Sequence, residues 1–150
     1  HLHVQAYNHP LGRTAMSFFA APALKAQLKR RFPQCLEGAP LLKPGAGSAM
    51  RQRLDLWLTQ QGLHPQTIGE FDDAALMKAF GTKGRGVFMS PTVLEAETCA
   101  QYGVRVLGRS TELVEEYHAI SVERRITHPC VAAITSAARG ELFAVQSDGA

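Results

Sequence analysis

The chain has 150 residues, of which 45% are hydrophobic and 19% are charged, and its formal net charge is +3. This balance is that of a globular domain, and no stretch approaches the roughly 18 consecutive apolar residues that a membrane-spanning helix needs. Because the Lys and Arg residues are dispersed along the chain, the composition gives no indication of a DNA-binding surface within these 150 residues.

The cysteines give no sign of a metal site. Cys35, Cys99 and Cys130 are widely spaced, and they form neither a Cys-x-x-Cys pattern nor a Cys/His ligand pattern. An odd number of cysteines without a recognisable secretory leader favours reduced thiols and a cytoplasmic location. We expect no cofactor and no enzyme activity, since the sequence contains no P-loop, Gly-x-Ser-x-Gly elbow, His-Glu-x-x-His motif or complete dinucleotide fingerprint.

The first third of the chain predicts two strands and a helix. Apolar and polar residues alternate over residues 2–7, which indicates a strand, and residues 15–20 are typical of a second strand. A turn is expected over residues 8–12. Pro22 then stands where a helix can begin, and Pro33 is expected to end that helix.

Three strand–turn–helix units are predicted to follow. The strands are residues 40–43, 66–71 and 86–89, and the expected helix caps are Ser48, either Asp72 or Asp73, and Ser90 with Pro91 as the first helical residue. Glycines are expected to end the helices, at Gly62, Gly81 and near Gly103. Two more strands, residues 104–107 and 117–123, and a helix beginning at Thr127 or His128 complete the pattern.

Strands that alternate with helices in this way predict an α/β fold with mostly parallel strands. Such sheets bind ligands beyond the carboxyl ends of their strands. We therefore expect functional residues in three turns, at residues 44–48, 71–73 and 89–92. The predicted strand at residues 2–7 has no preceding helix to cover it, so we also expect that sequence before His1 is missing from this chain.

Several segments, in this order, resemble the effector domain of LysR-type transcriptional regulators, and the subgroup they resemble regulates a sodium/proton antiporter. They are residues 7–12 (Tyr-Asn-His-Pro-Leu-Gly), 41–44 (Leu-Leu-Lys-Pro), 53–58 (Arg-Leu-Asp-Leu-Trp-Leu), 68–81 (beginning Ile-Gly-Glu-Phe-Asp-Asp), 86–91 (Gly-Val-Phe-Met-Ser-Pro), 117–124 (Tyr-His-Ala-Ile-Ser-Val-Glu-Arg) and the His-Pro pair at 128–129. The likeness extends from about Leu2 to Phe143.

The resemblance implies a two-lobed fold like that of periplasmic binding proteins, here with the start of the first lobe missing. By this mapping, residues 1–39 belong to lobe one, residues 40–113 form lobe two, residues 114–143 return to lobe one, and residues 144–150 are a frayed tail. It also implies a winged helix-turn-helix domain, absent from this chain, through which the regulator would bind DNA as an activator. A homodimer or homotetramer is implied as well.

The resemblance places a small effector in the cleft between the lobes. The expected contact residues lie in the three turns and are Pro44, Gly45, Ser48, Phe71, Asp72, Met89, Ser90, Pro91 and Thr92. Glu70, Asp72 and Asp73 offer the oxygen ligands that a hard cation such as sodium prefers. The simpler interpretation is that Asp72 or Asp73 only caps a helix, and that Ser90 does the same.

Two functions remain open at this point. A cytoplasmic sensor domain of a LysR-type regulator accounts for the order of the motifs and the cysteine usage. A periplasmic-type solute-binding protein would share the two-lobed fold, and its mature form would also show no signal peptide.

Overall fold

The computed structural model describes residues 5–121. Its contacts divide the chain into two compact units, a larger unit of residues 15–113 and a smaller unit of residues 1–14 with 114–150. The lobe boundaries expected from the resemblance, at residues 39 and 113, remain predictions. The predicted helix near His128 lies outside the described residues.

The described chain alternates strands and helices. The strands are β1 (Tyr7–Ala20), β2 (Pro40–Pro44), β3 (Gln66–Phe71), β4 (Phe88–Pro91) and β5 (Arg105–Ser121). The α-helices are α1 (Pro22–Gln27), α2 (Ala49–Gln61), α3 (Ala74–Thr82) and α4 (Glu95–Tyr102), and short 3-10 helices occupy Gln34–Leu36 and Thr92–Leu94. None of the helices in this part of the chain is long and apolar enough to cross a membrane.

The strands form two sheets, β4–β1–β5 and β2–β3, and their pairing is both parallel and antiparallel, which corrects the expectation of mostly parallel strands. β2 and β3 are parallel, but β1 and β4 are antiparallel, with Ser17 opposite Ser90 and Phe19 opposite Phe88. β5 lies on the other side of β1. Two backbone hydrogen bonds of 2.8 Å, from Leu42 N–H to the Val87 carbonyl and from Val87 N–H to the Pro40 carbonyl, join β2 to the start of β4 in a parallel bridge.

The core of the larger unit follows the alternation of side chains along β1. Met16, Phe18 and Ala20 enter one buried cluster, where the ring of Phe18 stacks on Trp57 of α2 with centroids 5.4 Å apart. Phe19 points to the opposite face and stacks on Phe88 at 5.5 Å. Both faces of β1 are therefore covered here, which explains the apolar run that begins at Met16.

Local capping signals correctly predicted both ends of α2 and the start of α3, whereas Gly81 lies inside α3, which ends at Thr82. The Ser48 hydroxyl accepts a hydrogen bond from Arg51 N–H at the start of α2, and Gly62 ends that helix in the left-handed region with φ of 66°. Asp73, rather than Asp72, caps α3 through hydrogen bonds from Ala75 and Leu76 N–H. These features confirm α2, β3 and α3 close to the predicted bounds.

Other local predictions were wrong. The expected turn at residues 8–12 is part of β1, and the strands expected at 104–107 and 117–123 belong to the single strand β5. Helix α1 ends at Gln27, well before Pro33. These segments take their conformation from pairing and packing with distant residues, which override local turn and helix signals.

Ser90 and Pro91 were also assigned to the wrong element. They are the last residues of β4, and α4 begins only at Glu95, after a 3-10 turn. Ser90 therefore does not cap a helix. A Ser-Pro pair is typical of a helix start, but here pairing with Met16 and Ser17 of β1 holds both residues in the sheet.

Candidate functional site

The carboxyl ends of β2, β3 and β4 lie at one edge of the larger unit. The pairing of β2 with β3 and the bridge from β2 to Val87 are both parallel, so the three strands end at the same edge. The expected turns at residues 44–48 and 71–73 begin at the last residues of β2 and β3, whereas residues 89–91 of the third segment belong to β4 and only Thr92 follows that strand. We call this group of turns the carboxyl edge.

The first two turns are in direct contact. Gly45 N–H donates to the Phe71 carbonyl at 2.9 Å, and Ser48 N–H donates back to the Gly45 carbonyl at 3.0 Å. Asp72 lies over Gly45 so closely that a Cβ on Gly45 would come within 2.0 Å of Asp72 Oδ1. The absence of a side chain at position 45 therefore lets the Asp72 carboxylate pack against the first turn.

Ion pairs next to these turns connect β2, α2 and β3. Arg51 lies 2.8 Å from both Asp55 and Glu70, and it also donates to the Pro44 carbonyl at 3.1 Å. Lys43 contacts Asp55 at 2.8 Å. The hydrogen bond that Arg51 donates to Glu70 raises the pKa of Arg51 above its ordinary value. The Lys43 and Arg51 side chains are largely buried, while Asp55 and Glu70 are about half exposed, so the network joins the end of β2 to α2 and β3.

The end of β4 contains a buried hydroxyl. Ser90 is only 1% exposed, and its Oγ has no hydrogen-bond partner among the described residues. Ser17 stands directly opposite on β1, and its hydroxyl is 2.9 Å from Thr92 Oγ1 and donates to Glu95 Oε2 at 2.7 Å. The carboxyl edge thus includes a cluster of hydroxyl groups in which one buried group lacks a partner.

Glu95 connects this cluster to β5. Arg109 donates from Nε to Glu95 Oε2 at 2.8 Å and also contacts Oε1. The hydrogen bond from Arg109 is the main reason that the pKa of Glu95 lies below its ordinary value, although partial burial opposes the shift. Glu95 therefore holds Ser17 of β1 and Arg109 of β5 at the start of α4.

Ser17, Glu95 and Arg109 were not predicted as part of this region. Their position follows from the antiparallel pairing of β1 with β4. This pairing places Met16 and Ser17 of β1 beside the end of β4, at the carboxyl edge. The one available signal was Ser17 itself, a polar residue inside an apolar run. A polar residue there requires a buried partner.

Two of the three carboxylates considered for a cation have other partners. Glu70 pairs with Arg51, and Asp73 caps α3. Within residues 5–121, no group of three or more His, Cys, Asp and Glu side chains is placed to hold a metal ion. A cation at this edge would have to compete with these contacts.

The described thiols are free. Cys35 is buried, and burial raises the pKa of its thiol above the ordinary value, while Cys99 is partly exposed. Neither cysteine belongs to the carboxyl edge. Cys130 lies outside the described residues.

Comparison with known proteins identifies the family to which this fold belongs. Residues 4–142 match the family model described as the LysR substrate binding domain. This match covers most of the chain, so the chain belongs to the LysR substrate-binding domain family.

Among characterised proteins, the chain is similar to the transcriptional activator protein NhaR of Escherichia coli K12. The two are 44% identical over 115 residues, which is 77% of this chain and 38% of NhaR. The chain therefore spans well under half the length of this relative. The subgroup resemblance seen in the sequence is confirmed, and this relative is a transcriptional regulator rather than an enzyme.

Solved structures show the same fold at lower sequence identity. The effector domain of AmpR from Pseudomonas aeruginosa has a TM-score of 0.69 and 21% identity, covering 99% of this chain and 70% of that one. The effector binding domain of QuiR in complex with shikimate has a TM-score of 0.62 and 16% identity, covering 91% of this chain and 65% of that one. This likeness confirms the α/β fold of the family.

Proposed function

We propose that this chain is the effector-sensing part of a LysR-type transcriptional activator, and that it controls sodium/proton antiporter or related stress genes in the cytoplasm. The observation that carries the proposal is the convergence of three turns at the carboxyl edge of a domain in this family. The 44% identity to NhaR supports the choice of target genes. DNA binding would belong to a helix-turn-helix domain outside these residues.

The proposed effector site consists of the exposed and buried groups of the carboxyl edge. Its residues are Pro44, Gly45, Ser48, Phe71, Asp72, Met89, Ser90, Pro91 and Thr92. Ser90 supplies a hydroxyl that lacks a protein partner in the described chain, and Phe71 supplies a half-buried aromatic surface. An apolar wall with a few polar groups is the usual composition of a small-molecule site.

We favour a small organic effector over a sodium ion. Glu70 and Asp73 already have partners, which leaves Asp72 as the carboxylate most able to contact a ligand. A single carboxylate is a poor site for a hard cation, which prefers about six to eight oxygen ligands. Sodium bound through Glu70, Asp72 and Asp73 is therefore the second candidate.

An effector at this edge would act by shifting a conformational equilibrium. It can do so only to the extent that it binds one conformation of the regulator more tightly than another. The Ser17–Glu95–Arg109 contacts would link the site to β1 and β5, the two strands that continue into the smaller unit. The change in population would then alter DNA binding by the whole regulator.

We also propose that the regulator assembles as a homodimer or homotetramer. β3 has one paired neighbour, β2, within the described chain, and Ile68 on this strand is 53% exposed. Leu76 and Phe80 of the adjacent helix α3 are exposed as well. Exposed apolar side chains beside an edge strand are typical of an assembly surface.

Thermal melts distinguish the two effector classes. The chain is melted in sodium chloride, in potassium chloride of equal ionic strength, and in potassium shikimate, the acid present in the QuiR complex. A bound ligand at a hundred-fold excess over its Kd raises Tm by about 5–10 °C for a domain of this size. We expect shikimate to raise Tm and the two chloride salts to give equal values.

Two variants show whether the rise in Tm with shikimate arises at the proposed site. Ser90→Ala should abolish the rise in shikimate, whereas Asp73→Asn should preserve it. A rise specific to sodium that Asp72→Ala abolishes would overturn the organic effector in favour of the cation. Equal melts in all three solutions would exclude both shikimate and sodium as effectors of this domain.

A further inference from the structure

A basic surface lies at the edge of the larger unit opposite the carboxyl edge. β1 runs antiparallel to β4, so the end of β1 and the beginning of β4 meet at this edge. Helix α1 follows β1 directly, and residues 83–85 come shortly before β4. The two segments are in contact, because a Cβ on Gly84 would lie 3.8 Å from the Cβ of Ala21. Strand pairing therefore brings together cations that are dispersed in sequence.

Six basic side chains belong to these two segments and the residues that follow α1. All six are exposed, and none of them forms an ion pair within residues 5–121. We call them the basic edge, and they are Lys25, Lys29, Arg30, Arg31, Lys83 and Arg85. The basic edge is thus a group of cations without counter-charges of their own in the described chain.

Acidic residues are scarce around the basic edge. Glu37 is the only acidic residue among the first 54, and none occurs between Asp73 and Glu95. The Glu37 carboxylate already accepts a hydrogen bond of 2.7 Å from His64 N–H. Like charges that are not offset by acidic neighbours produce a positive potential, which attracts an anionic partner.

The composition of the surface distinguishes between two kinds of anionic partner. A protein interface usually has an apolar centre with charges at its rim. None of the large apolar side chains that are exposed in residues 5–121 belongs to the segments of the basic edge. A surface of Lys and Arg without an apolar centre instead fits a polyanion that is bound through its charges, such as the phosphate backbone of a nucleic acid.

We propose that the basic edge binds the phosphate backbone of duplex DNA, and that this adds a sequence-independent contact to the DNA binding of the whole regulator. A duplex carries about one phosphate per 1.7 Å of its axis, so several phosphates lie within reach of the six side chains. Contacts of Lys and Arg with phosphates fix the position of a protein on DNA without reading the bases. The choice of DNA rests on the proposed function, in which this chain belongs to a DNA-binding activator.

A salt-dependent titration tests this contact. The chain is titrated into a fluorescently labelled duplex of arbitrary sequence, and the anisotropy is followed at several concentrations of potassium chloride. Because the proposed helix-turn-helix domain lies outside these residues, binding by this chain reports on its own surface. We expect a Kd on the order of 10⁻⁴ M at about 50 mM salt, and a slope of log affinity against log salt of about −4 to −5, since each phosphate contact contributes about −0.9.

Two double variants with the same change of charge locate the contact. Lys29→Gln with Arg30→Gln removes two cations of the basic edge, whereas Arg53→Gln with Lys78→Gln removes one arginine from α2 and one lysine from α3. We expect the first pair to weaken DNA binding by at least roughly ten-fold and to reduce the slope by about 1.8, twice the contribution of one phosphate. The second pair should change the affinity by less than about three-fold. Lys29 and Arg30 are exposed, so their variant should keep the Tm of the original chain.

Poly-glutamate separates DNA from an acidic protein partner. Its extended chain carries about one charge per 3.4 Å, half the linear charge density of a duplex, so we expect its binding to be at least roughly ten-fold weaker than that of DNA. Poly-glutamate that binds as tightly as the duplex would overturn the proposal in favour of an acidic protein. Equal losses in the two double variants, or no binding of the duplex at the lowest salt concentration, would overturn it as well. The titration contains no effector, so its failure is distinguishable from a failure of the effector site at the carboxyl edge.

Discussion

Ser17 and Ser90 face each other on β1 and β4, yet their surroundings differ. Ser17 donates to Glu95, whereas the Ser90 hydroxyl is buried without a partner in the described chain. We expect Ser90→Ala to raise the free energy of unfolding by about 1 kcal/mol, because it removes an uncompensated desolvation penalty. Ser17→Ala should lower it by about 1–2 kcal/mol. Urea denaturation without effector measures both changes.

The two substitutions should therefore change the free energy of unfolding in opposite directions. Both variants remove one hydroxyl from a buried serine of the same ladder, so packing losses should be similar. A loss of stability in Ser90→Ala as large as that in Ser17→Ala would show that Ser90 has a partner in solution. The proposed role of Ser90 in effector binding would then lose its support.

The ion pair of Glu95 with Arg109 predicts a dependence of stability on pH. The pKa of Glu95 is lowered from its ordinary value of 4.5, so the folded state favours the ionised carboxylate. The resulting stabilisation is complete above the unfolded-state pKa and is lost as pH falls through the lower, folded-state value. Between pH 6 and pH 3, the original chain should therefore lose more stability than Glu95→Gln.

Glu97→Gln is the matched control for this measurement. Glu97 lies on the same helix, α4, and is exposed. Its removal should leave the slope of stability against pH as in the original chain. Parallel curves for the original chain and Glu95→Gln would contradict the proposed linkage.

At the scale of single elements, the two adjacent aspartates at the start of α3 have different roles. Asp73 accepts hydrogen bonds from Ala75 and Leu76 N–H, and Asp72 covers Gly45 instead. We expect Asp73→Ala to lower the free energy of unfolding by about 1 kcal/mol, as is usual for the loss of an N-cap. Asp72→Ala should change it by less than half as much. Equal losses in urea denaturation would mean that both residues cap the helix.

The elements that could be predicted from sequence are those defined by local chemistry. Ser48, Gly62 and Asp73 set the ends of α2 and α3 through contacts within three or four residues. The full extent of β1 and β5 and the Ser90–Pro91 segment could not be predicted, because they depend on pairing between strands that are far apart in sequence, such as Met16 with Pro91. The turns at residues 44–48 and 71–73 follow local signals and could be predicted. Ser17, Glu95 and Arg109 could not, because only the pairing of distant strands brings them together.

At the scale of the whole molecule, the proposed assembly depends on exposed apolar side chains. Ile68→Asp places a charge on the exposed side of β3 and should shift the chain toward the monomer, with an increase of at least ten-fold in the dissociation constant. Ile120→Asp makes the same change at an isoleucine that is 71% exposed on β5 and should leave the assembly unchanged. Size-exclusion chromatography with light scattering measures both variants. Equal effects of the two substitutions would exclude β3 as the specific contact.

The central claim is that the carboxyl edge of the larger unit senses a small effector. The most direct test is to follow the backbone amide signals of the isotope-labelled chain during titration with potassium shikimate and, separately, with sodium chloride against potassium chloride. If the carboxyl edge is the effector site, any saturable shifts caused by shikimate cluster at residues 44–48, 71–73 and 89–92, and sodium chloride causes no shifts that potassium chloride does not. Saturable shikimate shifts confined to other residues, or sodium-specific shifts at residues 70–73, would contradict the proposal of a small organic effector at this edge.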